Sequence, residues 1–153
     1  MSGRNSLMSL RMCQDDSIVL HSGVLWKRSS KPTLLYRYNW KQRYATLTPT
    51  ALQYFTAEDG HQKGSVDVSD CRTSDLEIMP TDVPPTNDGA TKWLVAVNTP
   101  TRRFLMAVTS EKEMNGWSFA LLALFKANEA RMSGRYDDPS LASDDDNGDD
   151  SMA

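Results

Sequence analysis

Apolar and polar positions alternate through most of the chain between residues 23 and 108. Side chains on a strand change face at every residue, so alternation places every second one together. In Gly23–Ser29 this puts Leu25 and Lys27 on one face, and in Tyr38–Leu47 it puts Lys41, Arg43, Ala45 and Leu47 on one face. Ala51–Thr56 carries Leu52 and Tyr54 together, Lys63–Val68 carries Val66 and Val68, and Cys71–Met79 carries Leu76 and Ile78. A loop with three prolines runs from Pro80 to Thr91. Beyond it, Trp93–Val97 alternates Trp93, Val95 and Val97, and Arg103–Val108 turns Phe104, Met106 and Val108 inward. Turn signals at Thr48-Pro-Thr, Ala57-Glu-Asp-Gly and Asn98-Thr-Pro-Thr separate several of these runs. Short strands at this spacing predict a seven-stranded sandwich or barrel.

The period changes at Ser110, which with Glu113 three positions later forms a capping box. Met114, Trp117, Leu121, Leu124 and Phe125 then recur at helical spacing and define one apolar face. The helix is expected to reach about Ala130, to end before Gly134, and to plug one open end of the β structure with Trp117 as its stopper. The expected fold class is mostly β with one C-terminal α-helix. The expected division is a flexible leader over 1–21, a domain over 22–132 and an acidic disordered tail over 133–153.

Composition fits a soluble globular chain, with 39% hydrophobic and 24% charged residues. No run approaches the roughly 18 apolar residues of a transmembrane span. No signal peptide, myristoylation or prenylation pattern is visible. Any membrane contact is therefore expected to be peripheral, from a cytoplasmic location. Cys13 and Cys71 have no partners at zinc-ligand spacing, and a reduced setting with Cys71 as a small core residue is the simpler reading. No catalytic set, metal site, cofactor site or Gly-rich phosphate loop is legible, so an enzyme is not expected.

Charge changes the picture because it is unevenly placed. The net charge is −3, yet Ser22–Met132 carries 14 Lys and Arg against 11 Asp and Glu, while the stretch from Ser133 carries one Arg and seven Asp. Within Ser22–Lys63, seven cations face only Glu58 and Asp59. An acidic protein thus has a basic end. Its cations are oddly placed: Lys27, Lys41 and Arg43 share a strand face with the core residues Leu25, Ala45 and Leu47. Cations on a core-facing side are costly unless an anion meets them. A nucleic-acid partner would need a broader basic face and is not expected.

Several stretches together resemble a known family. They are Gly23-Val-Leu-Trp-Lys-Arg, Trp40-Lys-Gln-Arg-Tyr-Ala-Thr-Leu, Leu52-Gln-Tyr-Phe, Lys63-Gly-Ser-Val-Asp-Val, Arg102-Arg-Phe-Leu-Met-Ala and Ser110-Glu-Lys-Glu-Met-Asn-Gly-Trp. In this order and spacing they resemble a pleckstrin homology (PH) domain over about Ser22–Ala130. The resemblance implies a strongly bent seven-stranded antiparallel sheet or barrel, capped by the C-terminal helix. Lys27, thirteen intervening residues and then Lys41-Gln42-Arg43 are similar to the pattern in PH domains that recognise 3-phosphorylated inositol lipids, such as those of Tec-family kinases. The same resemblance implies a phosphate-facing phenol at Tyr54 and a further rim cation at Lys63. Lys41 departs from the Arg often found there, and a Lys is a point charge where Arg is a bidentate fork.

The expected function is a non-catalytic, membrane-targeting module that binds a phosphoinositide headgroup through Lys27, Lys41, Arg43, Tyr54 and Lys63. Backbone N–H groups of Arg28–Lys31 would help cradle the phosphates. Around them, Arg28, Lys31 and Arg37 would attract anionic lipid, and Leu34, Leu35 and Tyr36 would enter the bilayer as a loop tip. The alternative is a PH-fold adaptor for a small GTPase or peptide. Trp40, Tyr44 and Trp93 read as packing residues.

Overall fold

The structure, a computed structural model, describes residues 18–35 and 37–136. The leader up to residue 17, Tyr36 of the expected membrane loop and the tail aspartates lie outside the described residues. Seven strands are present: β1 (His21–Arg28), β2 (Trp40–Leu47), β3 (Ala51–Phe55), β4 (Gln62–Asp67), β5 (Leu76–Ile78), β6 (Leu94–Asn98) and β7 (Arg103–Val108). One helix, α1 (Glu111–Tyr136), follows them. The strands form one antiparallel sheet in the order β4-β3-β2-β1-β7-β6-β5. The expected class, β with a single C-terminal helix, is the observed one.

The alternation sorts the sheet as read. Leu25, Ala45, Leu47, Leu52, Val95, Val97, Phe104, Met106 and Val108 enclose one core, and α1 adds Met114, Trp117, Leu121, Leu124 and Phe125. Trp117 is fully buried, with His21 at the start of β1 edge-on to it at 4.6 Å between ring centroids. Six residues of extended chain, about 20 Å, separate His21 from Lys27. The helix stopper and the cations therefore occupy opposite ends of the fold. Ser110 caps α1 by accepting from the Glu113 N–H at 3.1 Å.

The barrel expectation needs one correction: the sheet is not closed. No ladder joins β4 to β5, and the chain between them turns back at Cys71, whose N–H reaches the Val68 carbonyl at 3.1 Å, before a 3-10 turn at Thr73–Asp75. This shortens β5 to three residues from the longer strand expected. The far half of α1 holds this connection. Asn128 donates to the carbonyls of Val68 (3.1 Å) and Cys71 (2.9 Å), Glu129 accepts from the Thr73 N–H and hydroxyl (both 2.8 Å), and Arg131 donates to the Ser69 carbonyl (2.7 Å). α1 passes its expected end near Ala130, where Arg131 still contacts this connection, and continues to Tyr136 through Gly134. One helical glycine costs only about 1 kcal/mol.

Alternation also misses a second, smaller core on the outer face. Trp40, Leu94, Ala96, Leu105 and Ala107 pack there with Trp26, Val83 and Ala90. The long β5–β6 loop lies over them, tied down where the Asp88 carboxylate accepts from the Trp40 N–H (3.1 Å) and Asp82 pairs with both terminal nitrogens of Arg103 (2.8 and 2.9 Å). β6 and β7 are consequently buried on both faces.

Candidate functional site

The residues that make the site are placed by strand register. Lys27 and Lys41 are direct Cα partners across the β1–β2 ladder, and Arg43 stands opposite Leu25. All three point to the inner side but lie beyond the last large core residues, at the mouth of the fold. Tyr54 reaches the same mouth from β3, packed against Phe104 at 5.8 Å between centroids. It pairs with Gly64 on β4, where a Cβ would fall 2.3 Å from the phenol oxygen. Glycine is needed there for close approach, not for an unusual backbone angle.

The β3–β4 register slips at this point. Tyr54 pairs with Gly64, but Phe55 pairs with Gln62, so Lys63 has no opposite residue. Strict alternation from Val66 would send Lys63 outward. A bulge re-aims a side chain, and Lys63 lines the same cleft as the others.

Lys27, Lys41, Arg43, Tyr54 and Lys63 thus border a single open cleft of about 260 Å³, and the remaining wall is Ser29 and Ser30 at the start of the β1–β2 loop. Among the described residues, no carboxylate lines it. Lys27 is the innermost cation. Its ammonium lies 5.1 Å from the Tyr54 ring centroid and 3.4 Å from the Arg28 carbonyl. Burial pulls its pKa below the ordinary lysine value; Tyr54 opposes this, while Arg102 and Arg43 add to it. An anion beside Lys27 would offset the desolvation that disfavours its charged form.

Arg102 belongs to this site and was not assigned to it from sequence. Its guanidinium donates to the Tyr54 hydroxyl (3.4 Å) and to the Ser65 carbonyl (3.5 Å), and lies 5.5 Å from the Phe104 ring centroid. The signal was present. Arg102 shares the parity of Phe104 and Met106, as Lys27 shares that of Leu25. Its position in a turn hid it.

The second group of expected residues divides. Lys31, Leu34, Leu35 and Arg37 are exposed on the β1–β2 loop, Leu34 at 97% and Leu35 at 77%. The loop continues the hairpin through Ser29 N–H to Asn39 carbonyl (2.7 Å) and Thr33 N–H to Arg37 carbonyl (2.7 Å). Arg28 points to the opposite face from Lys27 and stacks on Tyr38, 3.9 Å from the ring centroid. Arg28 and Arg37 border a different cavity of about 230 Å³, walled by Tyr38, Trp40, Pro84 and Pro85. Burial is the main influence lowering the Arg28 pKa. Among the described residues, no group of His, Cys, Asp and Glu is placed to hold a metal, and no helix is long and apolar enough to cross a membrane.

This arrangement of strands and helix agrees with sequence comparison. A model of the PH domain matches residues 19–124. The chain belongs to the PH domain family. The PH domain is a non-catalytic module that commonly binds lipids or proteins. The chain is 30% identical over 105 residues to the Danio rerio protein named differentially expressed in FDCP 6 homolog, a match covering 67% of this chain and 15% of that protein. It is 28% identical over 122 residues to differentially expressed in FDCP 6 of Mus musculus, covering 78% and 18%. The matches thus span under a fifth of either relative's length. Among solved structures, the Slm1-PH domain in complex with phosphoserine superposes with a TM-score of 0.50 at 22% identity, covering 71% of this chain and 96% of that one. That likeness is one of fold.

Proposed function

We propose that this PH domain recognises the phosphorylated inositol headgroup of a phosphoinositide, with 3-phosphorylated isomers favoured, and thereby recruits the protein peripherally to membranes from the cytoplasm. The observation that carries the reading is the convergence of Lys27, Lys41, Arg43 and Lys63 on one cleft that no carboxylate lines among the described residues. A multiply phosphorylated ring would accept charge-assisted hydrogen bonds from these groups, each contributing about 1.5–3 kcal/mol. Arg102 would hold the Tyr54 phenol in place beside it. The exposed Leu34 and Leu35 support a loop that enters the bilayer once the headgroup is seated. In this reading the binding unit is the domain expected over 22–132, extended by the last turn of α1, between a leader over 1–21 and the acidic stretch that follows.

The test is co-sedimentation with phosphatidylcholine vesicles that each carry one phosphoinositide isomer. The wild-type chain is expected to bind 3-phosphorylated vesicles best, and Arg43→Ala to lose at least about tenfold in affinity. Unchanged binding by Arg43→Ala would remove the headgroup-site reading. A protein-partner reading has one observation of its own, the 77% exposed Phe119 on the outer face of α1. Phe119→Ser would leave vesicle binding intact under the lipid reading.

A further inference from the structure

The cleft contains two hydroxyls as well as its cations, and their situations differ. Ser29 is occupied: its Oγ donates to the Lys31 carbonyl (3.0 Å) and accepts from the Asn39 N–H (3.1 Å), closing the base of the loop. Ser30 is exposed, lines the same cleft and makes no hydrogen bond among the described residues. It follows the basic pair Lys27-Arg28 by one residue and precedes Lys31. Cations flanking an exposed serine suit a protein kinase whose substrate groove is acidic.

We propose that Ser30 is a phosphorylation site whose phosphate occupies the cationic cleft and displaces anionic ligands from it. The inference rests on the reading of the cleft as an anion seat. The chemistry is phosphoryl transfer from ATP. The Ser30 Oγ forms a bond to the terminal phosphorus, the bond from that phosphorus to the bridging oxygen breaks to release ADP, and the hydroxyl proton passes to the kinase's base. The product carries a charge of about −1.5 to −2 and three acceptor oxygens. Its tether keeps it at the mouth, so a free headgroup must compete with an intramolecular one. Lys27, Lys41, Arg43 and Lys63 are the groups it would engage, and no lining carboxylate among the described residues repels it. Ser29, with its hydroxyl already bonded in both directions, lacks this freedom.

The experiment uses the full chain in two arms. In the first, the unmodified chain is incubated with cyclic-AMP-dependent protein kinase, which selects serines preceded by basic residues, and ATP. Peptide mapping by mass spectrometry should find phosphate on Ser30 and none in Ser30→Ala. No incorporation at Ser30, in a reaction that labels the isolated 25–35 peptide, would overturn the assignment of the site. In the second arm phosphoserine is incorporated at position 30 during translation, and the phosphate is titrated by ³¹P NMR. A phosphate among cations should lose its last proton at lower pH than the same phosphoserine in the isolated peptide, and Lys41→Ala should move it back toward the peptide. A phosphate that titrates as in the peptide would show that it does not occupy the cleft. Binding to phosphatidylcholine vesicles containing a 3-phosphorylated phosphoinositide should fall about tenfold or more relative to the unmodified chain. Unchanged binding overturns the displacement. If the unmodified chain does not bind those vesicles but the phosphate still titrates low, the cleft is an anion seat and only the lipid assignment fails.

Discussion

Lys27 and Lys41 stand directly opposite each other across the β1–β2 ladder, two cations on the core-facing side of a cleft that no carboxylate lines among the described residues. Like charges directly opposite on a sheet are destabilising, on the scale of 0.2–1 kcal/mol for a cross-strand pair, roughly. Lys27 adds to this because burial already pulls its pKa down. The domain therefore keeps an unfavourable arrangement that an anionic ligand relieves. Replacing Lys27 with Met keeps the stem and removes the charge. Lys27→Met is expected to raise unfolding stability by up to about 1 kcal/mol and to weaken phosphoinositide vesicle binding by at least about tenfold. Thermal unfolding and vesicle co-sedimentation measure the two effects. A variant that loses stability and keeps binding would contradict both.

Gly64 controls Tyr54. A Cβ at position 64 would lie 2.3 Å from the phenol oxygen and 2.6 Å from Cζ, so the ring must shift. Tyr54 is the wall beside Lys27 and the acceptor for Arg102. Gly64→Ala is expected to cost about 1–3 kcal/mol as overpacking and to lower headgroup affinity in the fraction that remains folded. Tyr54→Phe separates the two consequences: it removes the phenol without displacing the ring, and should reduce affinity with a smaller change in stability. Denaturant unfolding beside headgroup titration by calorimetry distinguishes them.

The closure of the open side between β4 and β5 depends on Asn128. Its amide, 2% exposed, bonds the carbonyls of Val68 and Cys71. Removing it leaves the Cys71 carbonyl without this donor, while the Val68 carbonyl keeps the Cys71 N–H, at about 1–3 kcal/mol for an unsatisfied group. Asn128→Ala is expected to destabilise the chain by that order and, below its transition, to leave headgroup affinity unchanged. Hydrogen exchange should show the loss of protection concentrated in residues 68–75.

What was legible in the sequence follows from the periods. Leu25, Leu47, Leu52, Phe104 and Met106 occupy the inner face that alternation assigned, and Trp117 lies at the centre of the helical stripe. The same parity drew Lys27, Lys41 and Arg43 together before any contact was known. Features that break a period were not legible in the alternation. Lys63, which the family resemblance named as a rim cation, lines the cleft although alternation sends it outward, because a bulge inverts its side. The outer core under the β5–β6 loop depends on tertiary contacts from Asp82 and Asp88 that no local pattern encodes. The docking of α1 on the β4–β5 connection depends on contacts distant in sequence, sixty positions between Asn128 and Val68. Arg28 stands apart from the rest of the expected membrane loop, because its parity turns it to Tyr38 on the other face.

Leu34 and Leu35 allow the proposed membrane insertion to be tested apart from the proposed headgroup recognition. They are exposed at 97% and 77% on a loop whose base is fixed by Ser29 and Asn39, so polar replacements should leave the cleft intact. Full burial of a Leu side chain contributes about 1.5–3 kcal/mol, and shallow insertion realises only part of that. The double variant Leu34→Ser, Leu35→Ser is expected to bind a soluble inositol phosphate as the wild type does. Its affinity for vesicles carrying the matching lipid should fall on the order of tenfold, mainly through faster dissociation, because the headgroup contacts that capture the lipid are unchanged. Calorimetry with the soluble headgroup and surface plasmon resonance on immobilised vesicles measure the two separately. Equal losses in both would place the leucines in the fold of the loop, and no loss in either would leave the membrane contact to the cations alone.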